Sequence, residues 1–334
     1  ERSRGLGDVY KRQALFRALI VEDTGKFAQI AKQMDGKMAV QTGAETKEAL
    51  QVDGSYHGHG ELFMSHNYGM ALFRDMSLWA HALHDTVYAL SDETIQTLAD
   101  YMLNGTRWTL RGDVMELACG YTPCGQGGYA YNYYVVPIKR MMVLDEKNRD
   151  TYQVLLDNIE GRRADNGLSG FHYMWTSAYA SQMREGYGVN VRMDSKTIKG
   201  SEWRANWGDG PDYGNLVFWT TAGACNVVID GDEYTSIYPT FDWRHTPGST
   251  APFNLSSRTG HDIARDAAMG VDSGDYGATG FTYVKNDGYG STMGTVGYFF
   301  FEDEYVALGA GIASNSQSPV HTTLNQTKAV NLSL

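Results

Sequence analysis

The spacing of apolar residues changes once along this chain, near residue 165, and that change limits what the chain can fold into. Before it the period is helical. Phe27, Ile30, Ala31 and Met34 form one stripe, Met70, Phe73, Met76 and Leu83 another, and Tyr152, Leu155, Leu156 and Ile159 a third. Ser91 is placed to cap a helix carrying Ile95, Leu98 and Met102, with Asp92 and Glu93 in its first turn. Gly105 reads as the C′ glycine of that helix, and Gly161 closes the last one. After the linker-like "RRADNGLSG" come short β-rich runs between glycine and aspartate turns: "GVNVRM", "NLVFWTT", "ACNVVIDG" and "GYFFFEDEYVALGAGI". In the last, Glu302 and Asp303 sit where a hairpin would turn. Helices followed by strands, rather than alternating with them, predict α+β layers or two domains and exclude a parallel α/β sheet.

The expected division is a helical domain over 14–165 and an antiparallel sheet domain over 166–334. Residues 1–13, "ERSRGLGDVYKRQ", carry neither period and read as a leader foreign to the fold, while "HTTLNQTKAVNLSL" stops amid strand-like sequence. Both ends therefore read as truncated.

Composition narrows the function. With 42% hydrophobic and 20% charged residues, the chain has a globular make-up. A net charge of −11 argues against nonspecific nucleic-acid binding, which depends on cationic neutralisation of phosphate. No run of 18 apolar residues is present, so no membrane span is expected. The three cysteines lack zinc-site spacing, and Cys119 with Cys124 reads equally as a small disulfide or as two thiols. The aspartate-glycine pairs lack calcium-loop spacing, so neither metal nor cofactor is expected.

One loop concentrates proton-carrying groups. "DGSYHGHGELFMSHNYG", residues 53–69, holds three histidines and two tyrosines among four glycines. His59 and Tyr68 are nine positions apart, too far to meet on one helix, but a loop that folds back can join them. His57 and His66 compete for the same role.

This loop resembles polysaccharide lyase family 8, the hyaluronate, chondroitin and xanthan lyases. The matching positions are Asp53-Gly54-Ser55-Tyr56, then His59, then Tyr68-Gly69. Further stretches resemble the family in the right order: "YGVNVRMDSK" (187–196) followed by Ser201-Glu202, "GDG" (208–210), "YPTFDWRHTPGST" (238–250) and "FFFEDEYVALGAGIASNSQSPVHTTLNQ" (299–326).

The resemblance implies an incomplete toroid of helical hairpins, here its C-terminal part, joined to the N-terminal part of a large antiparallel β-sandwich. It implies β-elimination on an anionic, uronate-containing polysaccharide, leaving a 4,5-unsaturated uronide, by a protein that is monomeric and secreted or periplasmic. Tyr68 would protonate the leaving oxygen, His59 or Tyr68 would take the C5 proton, and Glu202 would orient the basic residues. Two positions depart from the family. Its carboxylate-binding asparagine would fall near Leu6, and Tyr121 stands where its first arginine would be. Charge neutralisation then falls to Arg184, Arg192, Lys196 or Arg204, with Trp175 and Trp203 as candidate sugar platforms. Two other readings are a lyase of alginate or heparin-type glycans and a non-catalytic protein that binds anionic polysaccharide.

Overall fold

The computed structural model describes residues 13–35, 38–42, 48–119, 129–198, 223–237, 240–253, 268–286 and 290–329. The first part is helical: α1 (13–20) and α2 (Thr24–Asp35) precede α3 (Met70–Leu83), α4 (Asp92–Asp100), α5 (Tyr129–Leu144) and α6 (Arg149–Ile159). A small sheet of β1 (Val40–Gln41), β2 (Ala49–Gln51), β3 (Tyr56–Gly58) and β4 (Leu62–Phe63) lies between α2 and α3. The hairpin of β5 (Leu110–Arg111) and β6 (Val114–Met115) follows α4.

The apolar stripes become one core. The buried residues of α2 are Phe27, Ile30, Ala31 and Met34, and Tyr152, Leu155, Leu156 and Ile159 are buried on α6. On α3, Phe73, Met76 and Leu83 face inward and Met70 is half-buried. Each fully buried side chain of this size contributes about 1.5–3 kcal/mol. Ser91 Oγ accepts the Thr94 N–H at 3.3 Å, as a cap should. Gly161 is left-handed at φ +72°, as expected of a C′ glycine.

Gly105 is a correction. Its φ is −116°, and α4 runs on past Asp100 into a π turn, Tyr101–Gly105. The missing side chain serves a close approach of two backbones instead: a Cβ on Gly54 would lie 2.7 Å from Gly105 Cα and 3.0 Å from the Asn104 carbonyl.

Beyond residue 170 the chain is antiparallel sheet. β7 (Gly170–Met174), β8 (Tyr179–Met183), β9 (Gly188–Arg192) and β10 (Ala224–Val228) pair in sequence order. β11 (Thr250–Pro252) precedes a meander of β12 (Ala268–Asp272), β13 (Gly277–Asn286), β14 (Ser291–Phe300) and β15 (Tyr305–Ser314), and pairs with β16 (Val320–Thr322). Glu302 and Asp303 lie in the β14–β15 turn, where the Phe301 N–H donates to the Glu304 carbonyl at 2.9 Å. The run "NLVFWTT" lies outside the described residues.

The β7–β10 sheet is covered on both faces. Phe171, Tyr173, Ala180, Val189, Val191 and Cys225 pack on Phe281, Tyr283, Tyr298 and Phe300 of the meander, forming the sandwich. The alternate residues point at the helices. Ser181 Oγ donates to the Trp108 carbonyl at 2.8 Å, while Asn190 and Asn226 donate to the two carboxylate oxygens of Glu116 at 2.9 and 2.7 Å. Arg111 adds bonds to the carbonyls of Arg184 (3.0 Å), Glu185 (2.9 Å) and Ile229. The helical layer and the sandwich are thus held by buried, directional contacts across the strip of chain that precedes α5.

Candidate active site

Residues 53–69 fold back on themselves. β3 and β4 form a hairpin with His57 opposite Phe63 and Gly58 opposite Leu62, leaving His59 in the turn. Its φ of +50° lies in the left-handed region, which is uncommon for any residue other than glycine, and such geometry persists where the surroundings hold it. The chain then enters a single π turn, Ser65–Gly69, directly before α3, and Tyr68 sits in that turn. His59 Nε2 and Tyr68 Oη share a hydrogen bond at 2.7 Å, and both side chains are half-buried.

Glycines make this approach feasible. A Cβ on Gly58 would stand 2.8 Å from Tyr68 Cδ2 and 3.0 Å from Met64 Sδ, so the phenol ring lies flush on the strand. A Cβ on Gly69 would meet Tyr56 Cβ at 2.8 Å and the Tyr101 hydroxyl closer still.

The other two histidines have different surroundings. His57 is fully buried, with Nε2 2.9 Å from Ser177 Oγ, and burial pushes its pKa down to about 4. His66 is buried between the Tyr134 hydroxyl (3.0 Å from Nδ1) and the Thr109 carbonyl (3.3 Å from Nε2), and burial pushes it down to about 3. Neither competes with His59 for contact with a ligand.

These depressed values predict a pH dependence of stability. Below about pH 6.5 the unfolded chain binds protons at both positions while the folded protein does not, so stability falls as pH drops toward about 4 and 3. Each histidine contributes a slope of at most about 1.4 kcal/mol per pH unit in that window. His172 acts in the opposite sense. Burial opposes its charge, but hydrogen bonds to the Asp272 carboxylate and the Asp53 carbonyl outweigh burial and raise its pKa. Its contribution is full below about 6.5 and fades as pH rises through the raised value. Calorimetry at pH 7, 6 and 5 should show a falling Tm whose slope becomes shallower in His57→Asn, with His66 still contributing; a level wild-type profile would contradict the neutral buried imidazoles.

Of the remaining expected site residues, Arg184, Arg192, Lys196 and Trp175 are among the described ones. Arg192 is only 1% exposed, because the two-residue period of β9 directs it at the helical layer. Its guanidinium stands 5.5 Å from the Phe63 ring centroid, Nη1 donates to the Met193 carbonyl at 3.1 Å, and burial lowers its pKa to about 10. Arg184 is buried with its guanidinium on the carbonyls of Glu302 (2.8 Å), Asp275 (2.8 Å) and Phe301 (3.2 Å), closing turns of the sandwich. Both arginines are therefore buried with backbone carbonyls as acceptors. Lys196 is exposed, and Trp175 is 45% exposed on the β7–β8 turn. Tyr121, Glu202, Trp203, Arg204 and Cys124 lie outside the described residues. Cys119 and Cys225 are buried.

Sequence reasoning missed what Asp53 and Ser55 do. The Asp53 carboxylate accepts the Ser55 N–H (3.1 Å) and hydroxyl (2.7 Å) at Oδ1 and the Thr176 N–H (2.6 Å) at Oδ2. A short Asp-Gly-Ser turn is a local signal for an Asx-type turn, but its partner 123 residues away is invisible in sequence. Among the described residues, no three His, Cys, Asp or Glu side chains are grouped to hold a metal ion, and no helix is long and apolar enough to cross a membrane.

The family model described as polysaccharide lyase family 8, N terminal alpha-helical domain, matches residues 9–117, and that of the family 8 super-sandwich domain matches 169–332. Chondroitinase-AC of Pedobacter heparinus is 28% identical over 323 residues, covering 93% of this chain and 44% of that protein. A chondroitinase AC lyase solved as oligosaccharide complexes superposes with a TM-score of 0.82 at 24% identity, over 99% of this chain and 48% of that one. A Paenibacillus xanthan lyase gives 0.79 at 16% identity, over 93% and 32%. These superpositions show the same fold of helices followed by antiparallel sandwich. The chain spans about half the length of the chondroitinase relatives it matches, and about a third of the xanthan lyase.

Proposed function

The chain belongs to polysaccharide lyase family 8, and from that premise we propose that it carries the proton-transfer pair of a lyase that cleaves uronate-containing polysaccharides by β-elimination. One observation carries the proposal: the 2.7 Å hydrogen bond between His59 Nε2 and Tyr68 Oη, half-buried where the other two histidines of the loop are sealed in.

Elimination moves two protons at adjacent carbons. A base removes the proton on C5 of the uronate, the electron pair becomes the C4–C5 double bond, the C4–O bond breaks, and an acid protonates the departing glycosidic oxygen. Tyr68 is assigned as the acid, its hydroxyl oriented by His59. The base is His59 or Tyr68, according to the C5 configuration of the sugar. A free phenol has a pKa near about 10, so a tyrosine base needs a neighbour that stabilises the phenolate, and an imidazole in direct hydrogen bond is such a neighbour. Glu202 is assigned to orient the basic groups. With Arg184 and Arg192 committed to backbone and packing, neutralisation of the uronate carboxylate is assigned to Lys196 and Arg204, and Trp175, Trp203 and Tyr121 to sugar contact. The domains proposed are 14–165 and 166–334, in a secreted or periplasmic monomer.

The test is ultraviolet absorbance of the unsaturated product with hyaluronan, chondroitin sulfates, xanthan, alginate and heparin. Product from one of the first three supports the assignment and names the substrate. Product from alginate or heparin alone moves the reading to another uronate polymer. Binding of a glycan without product moves it to a binding protein, the outcome favoured by Tyr121 in the place of an arginine.

A further inference from the structure

We propose that Thr176 and Ser177, on the β7–β8 turn of the sandwich, are positioning residues that hold His59 against Tyr68 through a buried interdomain latch; this rests on the lyase reading only for its effect on turnover. The latch has two rungs. In the first, the Thr176 N–H donates to Asp53 Oδ2 at 2.6 Å, and Thr176 Oγ1 lies 3.0 Å from Ser55 Oγ. In the second, Ser177 Oγ lies 2.9 Å from His57 Nε2. All five side chains are buried, so the bonds are shielded from exchange with water.

The rungs clamp the strand that ends in His59. β3 has only three residues, Tyr56–Gly58, and each of its ladders is two pairs long: Ala49 with His57 and Leu50 with Tyr56 toward β2, His57 with Phe63 and Gly58 with Leu62 toward β4. Ladders of two pairs do not by themselves fix where the next residue points, least of all one at φ +50°. Asp53 fixes the entry to the strand and His57 its middle, and both are held from the other domain, about 120 residues away in sequence. Nδ1 of His57 has no partner, so Ser177 is the polar anchor of that ring besides a longer 3.4 Å contact to Thr176 Oγ1. The imidazole that orients Tyr68 is therefore placed by the sandwich as much as by its own hairpin.

The experiment compares the wild-type chain with Ser177→Ala and Thr176→Val, each labelled with ¹⁵N-histidine. His59 ring shifts are read by NMR, and kcat and KM on whichever polysaccharide the wild type cleaves. The expected result is displaced His59 ring resonances together with a fall in kcat of about tenfold or more and KM within about twofold, since sub-ångström misplacement acts on the reacting geometry. Should Ser177→Ala fail to fold, Thr176→Val carries the test, because it keeps its shape and its N–H to Asp53. A folded variant with His59 resonances unmoved, or with kcat unchanged while only the melting temperature falls, overturns the latch. Absence of product from the wild type overturns the lyase reading alone, and the ring shifts still decide the latch.

Discussion

Tyr68→Phe is expected to lower the rate of unsaturated-product formation by about 10³-fold or more while leaving the fold intact. The substitution removes one oxygen, keeping the ring that lies on Gly58. Stability should change by about 0.5–1.5 kcal/mol, the range of a single neutral hydrogen bond. On the proposed mechanism, turnover loses the acid for the leaving oxygen and, if Tyr68 is also the base, the proton acceptor; positioned acid–base groups contribute about 10²–10⁴ each. His59→Asn is the companion variant, since asparagine tolerates the left-handed backbone that His59 adopts at φ +50°. It should keep the turn and lose about 10² in rate. Steady-state kinetics beside urea unfolding separates the two effects. Tyr68→Phe turning over within tenfold of wild type would remove Tyr68 from the chemistry.

The second large effect is on stability. Gly105→Ala is expected to cost about 3 kcal/mol, the upper range for overpacking a filled site. The Gly105 φ of −116° is outside the left-handed region, so the sign of φ does not demand glycine. The obstacle is Gly54, whose Cα and carbonyl carbon would stand 3.0 and 2.9 Å from the new methyl, with its oxygen nearer. Backbone cannot swing aside as a flexible side chain would. To relieve the clash, the turn carrying Asp53 must part from the end of the π turn. Gly161→Ala is the contrast: φ is +72° with no atom within 4 Å of a Cβ, so only the left-handed conformation is penalised, by about 1 kcal/mol. Urea unfolding of both variants checks the difference. Equal losses would mean that conformation, not contact, sets the cost at residue 105.

Much of the fold was legible because periodicity is a local property. The stripe of Phe27, Ile30, Ala31 and Met34 is the buried face of α2, and the Ser91 cap and Gly161 stop are where the residue types indicate. Gly105 was misread for a reason of the same kind: a glycine after a helical run looks like a C′ residue, and nothing local shows that another backbone 51 positions earlier leans on it. The burial of Arg192 was equally hidden from local sequence: β9 is an inner strand between β8 and β10, covered on both faces.

What the sequence determined by itself is the order of layers and the inventory of proton carriers in residues 53–69, because apolar period, caps and turn residues act over a few positions. Which histidine meets the tyrosine, which arginines are enclosed and what packs on the strand leading to His59 were decided by tertiary structure alone. His57, His59 and His66 are chemically identical side chains within ten positions. Burial against Ser177 and Tyr134 separates two of them from the third, and that desolvation arises only when segments about 70 to 120 residues apart close over them.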